Sequence, residues 1–488
     1  MHTTLEPEDW GKFKATAHAM LEDIIENQKN IMQKPVWQPV PATVKEFFTQ
    51  ALPEHPAGLE ATYEEFLQNI LAYPLGNTHP RFWGWCVGSG TLSGMLADML
   101  ASAMNPSCGG GDHAANYVEA QVLNWSKTML RFPQQASGLL VSGSAMASLI
   151  SINVARNLHA SIDVKQAGLA SANKRLIIYA SEQTHRTIHR AVEILGLGLN
   201  QLRIIPVNPF HQIDLDALDQ AIAYDVTQGH QPFCVVGNAG TTTTGAFDNL
   251  TELAKICQKY QLWFHVDGAF GALTRLSEKY SYLTNGLELA DSVAFDFHKW
   301  LHMPYELGCV LIKNAQAHKD GFEISHPYLP GSQSGMTAGI FWPADYGIEL
   351  SRSFKALKAW FLIKEHGIKK FGQLIDNNIA QAHYLKKLIL PNPQLELIAA
   401  ISLNIVCFRF VSKLLDDSAL NLLNQAITLE LQNLGSLVVS DIAVDGKIGL
   451  RAAFFNYKAQ QEDLDFLINS VLTIGNRKIV YFIKTVKA

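Results

Sequence analysis

Five short segments of this chain hold residue types that could do chemistry together. The most pointed is 294–300, AFDFHKW, where a β-rich run ends and delivers His298 and Lys299 to its C-terminal edge. A lysine there can form a Schiff base with an aldehyde if burial or neighbours lower its pKa. An isolated HK dipeptide is ordinarily a solvated strand end. In 263–271, WFHVDGAFG, an apolar run ends in Asp267, followed by the small Gly268 and Ala269. A carboxylate so placed could stabilise a buried cationic ring nitrogen, and the small residues would let a flat ring approach; the alternative is an Asp capping the next turn. The segment 238–249, NAGTTTTGAFDN, is a Gly- and Thr-rich loop offering N–H groups and hydroxyls to an anion or a cofactor edge, or simply a hydrophilic loop. In 141–149, VSGSAMASL, a turn opens a helix whose Gly/Ser-rich start suits a phosphate, although ordinary helix caps use the same residues. In 180–190, ASEQTHRTIHR, His185 follows a strand and begins a helix, where it could stack on an aromatic cofactor or serve as a surface cap.

These residues need a scaffold, and the chain pattern supplies one. Candidate strands fall at 175–180, 202–207, 233–238, 262–266, 292–295 and 308–312, with helical stretches between several of them. At 249–260, Leu250, Leu253, Ala254 and Cys257 share one helical face. Strand, helix, strand at this spacing predicts a mostly parallel α/β sheet covered by helices, with ligands at the carboxyl ends of the strands. Residues 1–91 read as a helical arm, amphipathic over 10–32 and broken by Pro35, Pro39, Pro41, Pro53 and Pro56; it has little core of its own and is expected to pack on something else, such as a second subunit. Residues 92–365 form the expected large domain. Residues 366–488 form a small α+β domain with strand-like runs at 401–410 and 448–455.

Composition narrows the class. The chain has 488 residues, 48% hydrophobic and 17% charged, enough apolar material for a large core. Its net charge of -5 gives no electrostatic reason to seek nucleic acid or an anionic membrane. The six cysteines lie far apart without a CxxC pair, which argues against a disulfide or metal framework and suits a reducing cytoplasm. Neither a signal peptide nor a transmembrane run is expected.

The five signals occur in order on one α/β sheet, and together they match what pyridoxal 5'-phosphate requires: an anion site for its phosphate, a carboxylate on its pyridine nitrogen and a lysine on its aldehyde. The chain resembles the group II pyridoxal-phosphate decarboxylases, most closely the aromatic L-amino acid decarboxylase branch. The motifs that carry this are HPRFWGW at 79–85, MLADML at 95–100, GTTTTGAFDN, HVDGAFG, DFHKW, and LSRSFKALKAW at 350–360, in matching order. The resemblance implies the fold type I of pyridoxal-phosphate-dependent transferases: a mostly parallel seven-stranded sheet sandwiched by helices, with the N-terminal arm and a small C-terminal α+β domain. It also implies a homodimer with the active site at the subunit boundary, acting on an amino acid.

It further implies residue roles. Lys299 would hold the cofactor aldehyde, Asp267 would pair with the pyridinium nitrogen, His185 would stack on the ring, and Ala269 would pack on its other side. Thr242 would lie near the Asp267 side. Ser144 and Ala145 fall where the family binds phosphate, and His298 would contact the phosphate or substrate side. Asp296 stands where many members have Asn. Tyr328, in HPYLPG at 326–331, matches the family's loop tyrosine, which returns a proton to the substrate carbon after CO2 leaves; a Phe there is associated with aldehyde formation. Ala145 occupies a place often held by a phosphate-binding Ser. Cys86, Val87 and Gly88 replace the Phe-Pro-Thr of aromatic-specific members, and Ser107 and Gly109 replace bulky apolar groups. The expected reaction is therefore decarboxylation of an L-amino acid, aromatic favoured, to the amine and CO2. An acidic or diamino substrate (glutamate, diaminobutyrate) and an aldehyde-forming or transaminase outcome remain the alternatives.

Overall fold

The computed structural model describes residues 3–323, 334–339 and 341–486. Two compact units are present. The larger comprises Cys86–Lys386 with Ala399–Cys407, and the smaller is built from the chain before Cys86, Lys387–Ile398 and the chain from Phe408 onward.

The β-rich runs of the sequence form the sheet of the larger unit. Its strands are β1 (Ser137–Val141), β2 (Leu176–Ser181), β3 (Leu202–Ile205), β4 (Gln231–Asn238), β5 (Trp263–Asp267), β6 (Ser292–Asp296) and β7 (Gly308–Ile312), in the order β1-β7-β6-β5-β4-β2-β3. From β3 through β2, β4 and β5 to β6 the pairing is parallel, and β7 runs antiparallel to both β6 and β1. Every residue of β2, β5, β6 and β7 is buried, as near-continuous apolar runs covered on both faces must be. The mostly parallel seven-stranded sheet is the expected one. Its seventh strand, β1, was not among the runs read from the sequence. It is only five residues long and contains Gly138, which weakens a strand signal but is needed here: an added Cβ would lie 2.9 Å from the Leu311 side chain and 3.0 Å from the Val310 carbonyl oxygen.

Helix Leu250–Tyr260 buries Leu250, Leu253 and Cys257 as its periodicity predicts, and Asn249 caps it by accepting the Glu252 N–H at 3.2 Å. Helix Ser144–His159 lies against the sheet with Ala147, Ile150 and Val154 inward. A buried ion pair ties its surroundings together: Arg352 meets Glu119 at 2.6 Å and also donates to the Leu140 and Cys108 carbonyls.

In the smaller unit, helix Trp10–Lys29 is capped by Asp9 and buries none of its residues. The second sheet has the order β10-β11-β9-β8, from β8 (Leu395–Leu397), β9 (Ile405–Phe410), β10 (Ser440–Val444) and β11 (Lys447–Ala453). The run expected at 401–410 is strand only from Ile405, and β8 and β10 were not foreseen because they are short and partly exposed. The HPRFWGW segment belongs to this unit: Trp83 is fully buried, its N–H donates to the Val438 carbonyl at 2.8 Å, and Arg81 pairs with Asp463 at 2.7 Å. Among the described residues no helix is long and apolar enough to cross a membrane, and no group of three or more His, Cys, Asp or Glu is placed to hold a metal ion.

Two buried histidines make the larger unit acid-sensitive. Burial pushes His265 and His302 down to about 3. The unfolded chain takes up those protons near 6.5 and the folded chain does not, so their contribution to stability is complete above pH 6.5 and is lost as pH falls towards 3. From about pH 7 to about pH 5.5 the two together should remove about 2–3 kcal/mol. Thermal melts at those two values check this: the expected result is a clearly lower midpoint at the acidic one, and equal midpoints would contradict it.

Candidate active site

The carboxyl ends of β4, β5 and β6 lie side by side, with Asn238 opposite Asp267 and Asp267 opposite Ala294. The sequence puts a chemically useful residue just at or beyond each end. Asp267 is the last residue of β5, and Lys299 sits in the helical turn Phe297–Trp300 that follows β6. The two strand ends are locked by backbone bonds: Gly268 N–H donates to the Ala294 carbonyl and Asp296 N–H to the Ala269 carbonyl, both at 2.9 Å.

Lys299 Nζ is 3.1 Å from Asp296 Oδ2. Burial alone would lower this lysine, but Asp296, with Cys86 and Asp267 adding to it, outweighs burial and holds the ammonium above its ordinary value. The neighbouring carboxylate thus reverses the sign that burial alone would give.

Asp267 is 7% exposed, and burial raises it despite the opposing charges of Lys299 and His185. The Ala269 N–H reaches its Oδ1 only at 3.3 Å. Its surroundings thus leave a buried carboxylate short of a strong donor. His185 precedes helix Arg186–Ile194, as the sequence suggested, and its Nδ1 is 3.1 Å from the Thr187 hydroxyl. Burial lowers it, so near neutral pH it presents an uncharged ring. Ala269 is half-buried beside Asp267.

The Thr-rich loop is partly self-contained. Thr241 and Thr244 are buried with their hydroxyls 3.3 Å apart, while Thr242 is half-buried. Asp248 fixes the loop's base by accepting the N–H groups of Ile213 and Asn238, each at 2.7 Å. At the start of helix Ser144–His159, the Ser144 N–H and hydroxyl both donate to Asp296, and Ala145 is exposed. His298 is fixed by the Leu307 N–H, which donates to its Nδ1 at 3.1 Å; Nδ1 is thus an acceptor and Nε2 carries the proton, 3.6 Å from Asp296. Tyr328 lies outside the described residues.

One neighbour, Tyr305, escaped the sequence reading, and another, Gly88, was singled out there only as a departure from the family. Tyr305 stacks on His298, ring centroids 4.3 Å apart. It is half-exposed, yet the surroundings of its hydroxyl, which include the Gly88 backbone, Lys299 and Asp296, are crowded enough for burial to push the phenol up to about 12. Gly88 presses on the lysine's own backbone: an added Cβ would lie 2.0 Å from the His298 carbonyl oxygen and 2.5 Å from that of Lys299. The substituted segment beginning at Cys86 is therefore part of the site, and a threonine at position 88 would not fit this backbone arrangement.

A strand-end lysine and carboxylate lie at the C-terminal edge of a mostly parallel seven-stranded sheet, an arrangement that fits fold type I of the pyridoxal-phosphate enzymes. The chain belongs to the pyridoxal-dependent decarboxylase family, whose conserved domain matches residues 41–411. It is 33% identical over 445 residues to an aromatic-L-amino-acid decarboxylase of Bacillus atrophaeus, covering 90% of this chain and 91% of the relative. It is 27% identical over 459 residues to tryptophan decarboxylase 2 of Oryza sativa subsp. japonica, covering 92% and 91%. The solved structure of Oryza sativa TDC with PLP and tryptamine has the same fold, with a TM-score of 0.90 at 21% identity over 97% of this chain and 99% of that one. This protein is accordingly a pyridoxal-phosphate-dependent amino-acid decarboxylase, a lyase.

The residues present fit that cofactor. Asp267 is a buried carboxylate whose raised pKa a cationic ring N–H would reverse. Lys299 is an enclosed amine. The start of helix Ser144–His159 already directs an N–H and a hydroxyl at an anion, here the Asp296 carboxylate.

Proposed function

We propose that this enzyme decarboxylates aromatic L-amino acids to the corresponding amines and CO2. The observation that supports the aromatic preference is the relative of 33% identity, which matches over 90% of the chain and is named for aromatic substrates. The test is a panel of tryptophan, tyrosine, glutamate and 2,4-diaminobutyrate with amine and CO2 measured together. An aromatic substrate should show the highest kcat/KM; a higher value for glutamate or diaminobutyrate would contradict the reading.

Bound pyridoxal phosphate would supply an aldehyde for the substrate amine and a cationic ring that accepts the electron pair left on the substrate carbon when CO2 departs. In this reading Lys299 Nζ is the amine that would hold the cofactor's aldehyde, with Asp296 fixing its position at 3.1 Å. Asp267 would accept the ring N–H at its carboxylate and hold the proton on the ring nitrogen, which would maintain the ring's positive charge. His185, uncharged through burial, would lay its ring on one face, and the small Ala269 would pack against the other. The first turn at Ser144 and Ala145 receives the phosphate, with His298 and Asp296 alongside and Thr242 near the Asp267 edge. Tyr328 donates its phenolic proton to the substrate carbon that has lost CO2.

A homodimer and a cytoplasmic location belong to the same reading. Helix Trp10–Lys29 buries none of its residues, and Trp10 is 61% exposed, a face that a second copy would cover. No disulfide joins the six cysteines, all of which lie among the described residues, and this suits a reducing compartment. Light scattering should give twice the chain mass at assay concentration; a fully active monomer would contradict the dimer.

A further inference from the structure

Asp296 stands where the resemblance leads one to expect Asn, and its carboxylate is engaged on both sides. Oδ1 accepts the Ser144 backbone N–H at 2.6 Å, and Oδ2 accepts the Ser144 hydroxyl at 2.9 Å. Oδ2 also lies 3.1 Å from Lys299 Nζ and 3.6 Å from His298 Nε2. The residue is 2% exposed. Helix Ser144–His159 has Gly143 at its N-cap, with no side chain to satisfy its first N–H groups, so Asp296 caps the helix from the end of β6. Gly308 makes the approach possible: an added Cβ there would lie 2.5 Å from Gly143 Cα and 2.8 Å from Asp296 Oδ1.

The donors that Asp296 uses are those assigned above to the cofactor phosphate. Two anions therefore call on one N–H, one hydroxyl and one positive helix end. We propose that Asp296 is a built-in anion at the phosphate site, a positioning residue that holds the helix start and Lys299 in register before the cofactor arrives and then competes with the phosphate for the Ser144 donors. The proposal rests on the cofactor assignment under Proposed function. An asparagine at this position would keep a carbonyl oxygen for Ser144 while removing the competing charge, so the native chain binds the phosphorylated cofactor more weakly than its Asn variant does.

The experiment titrates the apoprotein with pyridoxal phosphate and, separately, with pyridoxal, which carries the same aldehyde and ring but no phosphate. Any change in Lys299 reactivity acts on both ligands alike, so the ratio of their affinities isolates the phosphate. In Asp296→Asn the ratio should move towards pyridoxal phosphate by at least about tenfold, equivalent to about 1.4 kcal/mol. Asp296→Ser, shorter but also neutral, should move it in the same direction, because charge rather than shape is responsible; it also serves if the Asn variant does not fold. Inorganic phosphate should raise the melting temperature of either variant apoprotein more than that of the wild type. An unchanged or reversed ratio, with the wild type still forming its lysine-bound cofactor absorption band, would overturn the proposal and leave the cofactor reading intact. A wild type that binds neither ligand would overturn both.

Discussion

Lys299→Ala abolishes amine formation. The lysine stands on the turn after β6 with its Nζ 3.1 Å from Asp296 and within electrostatic reach of Asp267. Alanine leaves nothing there to hold the aldehyde or to release the product. Other lysines of this unit are engaged elsewhere: Lys358 Nζ pairs with Asp98 and donates to the Pro304 carbonyl, and Lys355 lies 3.7 Å from Glu306. Covalent catalysis of this kind has no partial substitute within the site, so the loss should reach the background of the assay. The check is amine and CO2 release with saturating cofactor, alongside the absorption band of the lysine-bound cofactor. Both should vanish in the variant while its melting temperature stays close to that of the wild type. Retained turnover would remove Lys299 from the mechanism.

Tyr328→Phe should keep cofactor and substrate binding but lower amine output by about a hundredfold or more, the scale of general-acid catalysis. Phenylalanine preserves the ring and removes the only group that differs, the phenolic O–H. The substrate carbon that has lost CO2 must then gain its proton more slowly, and oxygen has time to intercept it. Carbonyl products should therefore rise in air and stay low under nitrogen, while CO2 release falls less than amine release. Unchanged amine formation would show that another group is the acid. Tyr305 is then the residue to substitute next, since its phenol lies close to Lys299 and retains its proton at neutral pH.

The strand-end chemistry was legible because local order carries it. An apolar run followed by Asp267, and another followed by Asp296, His298 and Lys299, announce buried strands that stop at a functional edge. The order of those runs is also the order of a parallel sheet. What the sequence concealed depends on contacts between distant segments. Ser144 and Asp296 are 152 residues apart, and nothing in either motif reveals that one donates to the other. Gly88 belongs to a segment read only for its departure from the family, and its tight fit shows only in the fold: a Cβ added there would lie 2.0 Å from the His298 carbonyl oxygen and 2.5 Å from that of Lys299. Tyr305 belongs to a connection that looks like a simple link from the lysine to β7; its ring reaches His298 because the chain reverses before β7 runs back antiparallel to β6. β1 was hidden by its own Gly138, whose missing side chain is what allows the strand to pack.

The central claim is that Lys299 carries pyridoxal phosphate. Borohydride reduction of the holoenzyme, followed by digestion and mass mapping of the peptides, tests it directly, because reduction fixes the cofactor to whichever amine holds it. The account predicts one modified peptide, the one containing Asp296, His298 and Lys299, with the added mass on Lys299. Modification of a different lysine, or no modified lysine at all, would contradict it.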